Sequence, residues 1–162
     1  MKPENVVEKA LSLPQQRYLE VVSGLLRERG IARVKDVAER LGVSLPSVSE
    51  AVKRLVEMGV VGRDARHGIA LRAAGREMAE QLEERHQALK RFMVEVMAMT
   101  PERADDVACH VEHCVDRDFA VRLTDLAGFL EREYPWTLKG IADHVREKHS
   151  ERAAGAAQGA GI

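Results

Sequence analysis

Apolar positions recur at helical spacing along most of the chain, and the breaks between them mark its elements. Tyr18, Val21, Val22, Leu25 and Leu26 follow i, i+3, i+4, i+7, i+8 and predict a helix from Pro14 to Gly30. Proline suits the first turn of such a helix and glycine its C-terminal cap. Val34, Val37, Ala38 and Leu41 predict a short second helix stopped by Gly42. Ser44 is placed to cap a third helix carrying Val48, Val52 and Leu55 and ended by Gly59. Pro46 falls in its first turn, where the missing N–H costs little. From Val60 to Leu71 the period changes, and two short runs flank a polar, basic turn, as in a β-hairpin.

Helix, short helix, tight turn, helix and hairpin in that order outline a winged helix-turn-helix. The third helix is then expected to be the recognition helix, its N-terminal residues facing base edges in the major groove. Arg63 and Arg66 on the hairpin are expected to reach the DNA backbone or the minor groove. The bland alternative is a small helical domain whose basic residues merely solvate it. The coincidence of apolar spacing, glycine turn and basic hairpin favours DNA.

Beyond residue 74 the pattern is helical throughout. Met78, Leu82, Leu89, Phe92, Met93 and Val96 line one side of a long helix from Ala74 to Met97. Thr100-Pro101 is an N-cap followed by proline and starts another helix, with Ala104, Val107, Ala108, Val111 and Val115 as its stripe. Asp118–Glu133 (Phe119, Leu123, Leu126, Leu130) and Thr137 to Lys148 (Leu138, Ile141, Val145) complete the set. The end, AAGAAQGAGI, lacks periodicity and reads as a disordered tail. The expected fold is mainly α, with a winged-helix domain at 1–73, an all-helical domain at 74–150 and a tail at 151–162.

Composition narrows the class. The 162 residues are 45% hydrophobic with two cysteines, which excludes a disordered chain and a disulfide scaffold. Apolar runs fall far short of the ~18 residues of a membrane span, and the polar start MKPENVVEKA lacks the apolar core of a signal peptide. A cytoplasmic protein without a membrane partner is expected. The net charge of −1 speaks against nucleic acid until it is divided by segment. Residues 30–76 carry nine basic and five acidic side chains, and residues 77–150 ten basic and sixteen acidic. Opposite surfaces of +4 and −6 therefore share one chain.

Candidate chemistry concentrates at Cys109-His110-Val111-Glu112-His113-Cys114. On a helix, Cys109, Glu112 and His113 stand at i, i+3, i+4 and emerge on one face. Thiolate, carboxylate and imidazole form a transition-metal ligand set, which magnesium and calcium would not prefer. His86 on the long helix and Asp105 one turn before Cys109 are further candidates. Singly, each has a structural reading: a buried small hydrophobe for the cysteine, solvated groups for the others. Their conjunction favours a metal. A Cys109–Cys114 disulfide does not fit, because positions five apart on a helix hold their Cα atoms about 8 Å apart.

At these residues the chain resembles a known family. Gly30 to Leu41, Pro46-Ser47-Val48-Ser49, Glu84-Arg85-His86 and Ala108 to His113 are similar to the diphtheria toxin repressor and manganese transport regulator family. The similarity covers about residues 14–135. It implies a metal-activated, homodimeric repressor with a winged-helix domain and a helical dimerisation domain, in the two-domain, manganese-type form. By position, Cys109, Glu112 and His113 match the primary metal site of iron-type members. His86 and Asp105 fall at ancillary ligand positions, and Glu20 matches a glutamate ligand on the first helix of manganese-type members. Two positions depart from the pattern. Arg17 stands where a first-helix ligand is expected and cannot coordinate a cation, so Glu20 supplies that ligand or the site uses fewer protein ligands and a water. Lys90 stands where the iron type has an ancillary glutamate. Pro46, Ser47 and Glu50 match positions that approach bases, and Lys53, Arg54, Arg63 and Arg66 are better suited to phosphates.

The implied mechanism is a metal that clamps the DNA-binding domain onto the dimerisation domain. The recognition helices of the dimer would then stand about 34 Å apart for a palindromic double-stranded operator. Cys109 is softer than the glutamate of manganese-type members and favours Fe²⁺, while Glu20 and the two-domain length favour Mn²⁺; Fe²⁺ is the expectation, with Mn²⁺ the alternative. Two rivals come from other classes. One is a metal-independent winged-helix regulator that responds to a small organic ligand. The other is a metalloenzyme, which the absence of a substrate loop or second catalytic cluster argues against.

Overall fold

The computed structural model describes residues 11–65 and 67–159, with side chains as far as residue 151. In chain order the elements are α1 (Leu13–Arg29), α2 (Val34–Leu41), α3 (Leu45–Glu57), β1 (Val61–Arg63), β2 (Ile69–Leu71), α4 (Ala73–Glu95), α5 (Pro101–Val111), α6 (Arg117–Glu133) and α7 (Pro135–Gly159). A 3₁₀ turn, Glu112–Cys114, follows α5 directly. The fold is mainly α, with one small antiparallel sheet. Two compact units divide the chain after Glu83, inside α4 and not at its start. The reason is packing: Met78, Ala79 and Leu82 belong to the core of the first unit.

That core is built from the stripes of four helices and the hairpin. Leu19, Val22 and Leu25 of α1 meet Val37, Val48, Val52 and Leu55, with Val60, Val61 and Ile69 beneath the hairpin. The α1 stripe is rotated slightly from its expected position. Leu19 is fully buried, whereas Tyr18, Val21 and Leu26 pack at its edge. Gly42 ends α2 with φ 65°, a conformation in which any Cβ is strained, and so makes the sharp turn before Ser44. Ser44 then caps α3 by accepting from the Ser47 N–H at 3.3 Å.

β1 and β2 pair in the register Val61↔Leu71, Gly62↔Ala70, Arg63↔Ile69. Asp64 closes the turn of this wing, its Oδ1 accepting from the Gly68 N–H at 2.6 Å. The first turn of α4 runs close to the strand entry. A Cβ on Gly75 would lie 2.1 Å from the Val60 carbonyl oxygen, so no other residue fits there.

In the second unit Leu89 and Met93 of α4 pack on Ala104 and Ala108 of α5, flanked by Val107, Val111, Val115 and Leu123. α6 buries a different face from the expected one. Ala120 and Ala127 are inside, whereas Phe119, Leu126 and Phe129 are exposed. Small residues allow closer helix approach than large ones, so the alanine side turns inward. α7 runs to Gly159, so residues 151–159 of the stretch read as a disordered tail are helical, and 160–162 lie outside the described residues. Alanine has the strongest helix propensity, so an alanine-rich stretch extends a helix without any apolar stripe.

Two glycine substitutions test this packing. Gly75→Ala is expected to destabilise the first unit by about 1–3 kcal/mol, as overpacking does. Gly140→Ala, with nothing within 4 Å of the added Cβ, is expected to stabilise α7 by about 0.5–1 kcal/mol. Denaturant unfolding followed by circular dichroism checks both, and equal effects would disprove the close approach at Gly75.

Candidate metal centre

Five of the expected ligands lie on three segments of the second unit. The latter part of α4 carries His86. α5 carries Asp105 and Cys109, and the 3₁₀ turn carries Glu112 and His113. α5 begins at Thr100, whose hydroxyl accepts from the Arg103 N–H at 3.3 Å, with Pro101 at the first helical position. The helix ends at Val111, so Glu112 and His113 leave a tightened last turn and not the regular helical face that the spacing predicts.

His86 joins the three segments. Its Nδ1 lies 2.8 Å from Glu112 Oε2 and its Nε2 3.2 Å from Asp105 Oδ1. Both partners are carboxylates that accept, so both ring nitrogens must donate, and the ring is an imidazolium. The Glu112 hydrogen bond raises the His86 pKa to about 8 against the opposing effect of burial, with Asp105 adding to it. Glu112 is only 2% exposed, and a buried carboxylate is costly unless positive charge accompanies it. His113 Nε2 is 3.6 Å from Glu112 Oε1.

Lys90 Nζ lies 2.5 Å from Asp105 Oδ1. That hydrogen bond, then the one from His86, holds the Asp105 carboxyl below its ordinary pKa. Glu112 and His113 offer donor atoms within 4.8 Å of one another, and Cys109, half-buried on α5, is not in that grouping. Carboxylate and imidazole donors converging on a buried position fit a divalent transition ion. Arg85 escaped the sequence reading. It is 7% exposed, and its NH1 donates to the Val115 carbonyl at 3.3 Å, fixing the chain just after the 3₁₀ turn. Its signal was present: Arg85 falls on the apolar stripe between Leu82 and Leu89.

The first unit presents the residues expected at DNA. Pro46, Ser47, Glu50, Lys53 and Arg54 are all exposed on α3, and Arg63 is exposed at the end of β1. Ser47 and Ser44 hydroxyls lie 2.8 Å apart. Arg54 Nε donates to Glu50 Oε1 at 3.3 Å, an open pair of little strength that leaves both groups available. Arg66 lies outside the described residues. On α1, Glu20 is half-buried and Arg17 exposed.

Comparison with known proteins follows the same division. Residues 10–69 match the model for the iron-dependent repressor N-terminal DNA-binding domain, and residues 72–137 that for the iron-dependent repressor metal-binding and dimerisation domain. The chain is 41% identical over 101 residues to the transcriptional regulator MntR of Escherichia coli O157:H7, covering 62% of this chain and 64% of that protein. It thus spans 64% of the length of the curated relatives it matches. A manganese-dependent transcriptional repressor solved in complex with manganese aligns with TM-score 0.65 and 29% identity, covering 71% of this chain and 53% of the other. IdeR of T. acidophilum, at TM-score 0.66 and 21% identity over 73% of this chain and 55% of its own, shares the fold.

The raised pKa of His86 has a consequence for the metal-free protein. The ring gains its partners on folding, so its contribution is complete below pH 6.5 and is lost as pH rises through about 8. In the presence of chelator, the wild type is expected to lose up to ~2 kcal/mol more stability between pH 6.5 and 9 than His86→Gln. Parallel pH profiles of urea midpoints for the two proteins would contradict the imidazolium.

Proposed function

The chain belongs to the iron-dependent repressor family, and on that footing we propose that it is a metal-activated, homodimeric repressor of transcription. Family members are transcriptional regulators and not enzymes. The observation that carries the reading is the buried Glu112 carboxylate, held beside His113 and His86 in the unit that follows a winged helix.

The proposed ligands are Glu112, His113, His86 and Cys109, with Asp105 and the α1 residue Glu20 as further candidates. When bound, the metal supplies fixed positive charge and Lewis acidity to these donors. The chain's own part is to hold them. The 3₁₀ turn sets Glu112 beside His113, Arg85 anchors the segment beyond it, and α4 positions His86. The iron expectation rests on the softness of Cys109. The oxygen donors and the manganese regulators among the similar proteins support manganese instead, so we take Mn²⁺ as the activating ion and Fe²⁺ as its rival.

On the DNA side, Pro46, Ser47 and Glu50 are proposed to approach bases, and Lys53, Arg54, Arg63 and Arg66 phosphates. Exposed Phe119, Leu126 and Phe129 on α6, and Trp136, 83% exposed on α7, support burial against a second copy. A two-fold dimer presents two recognition helices to half-sites about 34 Å apart, which calls for a palindromic operator. Linkage makes the coupling reciprocal: if metal strengthens operator binding, the operator strengthens metal binding by the same factor. No described helix is long and apolar enough to cross a membrane.

A second reading has one observation in its favour. A cavity of about 380 Å³ between α4 and α6, lined in part by Ala88, Arg91, Ala120, Val121 and Thr124, has the size of a small-molecule site. A regulator answering to an organic ligand there would bind operator without metal.

Gel-shift titration with Mn²⁺, Fe²⁺ or chelator separates the two. Operator affinity is expected to rise about 10–100-fold with Mn²⁺, and that gain to vanish in a Glu112→Gln, His113→Ala variant. Affinity unchanged by chelator, or retained by the Cys109→Ala, His113→Ala variant, would favour the organic-ligand regulator. Cys109→Glu is expected to move the response further from Fe²⁺ toward Mn²⁺; an unaltered preference would remove Cys109 from the site.

A further inference from the structure

The first turn of α3 carries an apolar side chain that the core does not use. Leu45 is 52% exposed, and Val43, in the turn before the helix, is 39% exposed. Pro46 beside them is exposed as well. The capping of α3 does not call for leucine here, since Ser44 closes the turn by accepting from the Ser47 N–H. The core takes Val48, Val52 and Leu55 from this helix and leaves Leu45 outside. We propose that Leu45 is a specificity-determining residue: it covers the C5-methyl of a thymine in each half-site of the operator. This rests on the operator binding proposed above and assigns one base that the operator must hold.

The surroundings of this patch select its partner. Residues 30–76 carry nine basic and five acidic side chains, and Lys53 and Arg54 stand exposed further along α3. That charge attracts a polyanion and opposes a second copy of the same surface. The Cα–Cβ bonds of a helix tilt toward its N-terminus, so the Leu45 side chain leans toward the end of α3 that a helix-turn-helix sends into the major groove. In that groove thymine alone presents an apolar group, its C5-methyl, among the polar edges of the bases. An isobutyl group has no donor or acceptor, so against guanine, adenine or cytosine it would cover polar atoms without pairing them. Against thymine it removes apolar surface from water on both partners.

Selection of duplexes from a random library by the full chain with Mn²⁺ supplies the probe. Each thymine of the selected sequence is then exchanged for deoxyuridine, which lacks only the methyl. At one thymine position in each half-site the wild type is expected to lose about 4-fold in affinity per methyl, and about 15-fold for both. Leu45→Ala is expected to bind the thymine and uracil duplexes equally at that position, and Leu45→Met to keep the discrimination. Thermal melts check that each variant is folded. A wild type indifferent to every exchange, or a folded Leu45→Ala that discriminates as the wild type does, overturns the role of Leu45 and leaves operator binding standing. If no sequence is enriched, operator binding falls, and this inference with it.

Discussion

Glu112 places a carboxylate where only 2% of its surface meets water, and the second unit is organised around meeting that charge. An ionised acid in such a place is tolerated when positive charge and hydrogen bonds come with it. His86 brings both, spanning Glu112 and Asp105 with its two ring nitrogens. That contact requires α5 to lie near α4, which the small side chains of Ala104 and Ala108 permit. Arg85, itself buried, ties down the backbone that leaves the turn. A proton on His86 thus meets part of the negative charge of the two carboxylates, and the metal proposed for this site would compete with it for the same donors.

The first unit solves a different problem: presenting charge without burying any. Its core is aliphatic, from Leu19 through Val52 to Ile69, and it leaves the polar side of α3 and the wing free. Close backbone approach at Gly75 and the Asp64–Gly68 closure set the wing in place with few residues. Positive charge on this unit suits phosphate, and negative charge on the helical unit suits cations. A net charge of −1 hides both.

The elements were readable because helical periodicity is a local property. Pro14, Pro46 and Pro101 mark helix starts, and Gly30 and Gly42 mark ends, through backbone preferences that need no partner. The inward face of α6 was less readable. Phe119 and Leu126 are more hydrophobic than Ala120 and Ala127, yet the alanines are buried, since the choice depends on how closely a neighbour can approach. The candidate ligand cluster was legible in its residue types but not in its local geometry. The 3₁₀ tightening at Glu112–Cys114 and the load that Arg85 carries arise only from contacts across the unit.

The amino-acid order alone determined the element types, the winged-helix order and the set of ligand-type side chains, because each follows from spacing along one segment. Tertiary structure alone decided which donors meet and what already occupies them. His86 and Glu112 are far apart in sequence, and only packing makes them a pair. Lys90 is a substitution in sequence; in the fold it is a positive charge seated on Asp105. Electrostatic interaction falls with distance, and those distances are set by how α5 packs on α4.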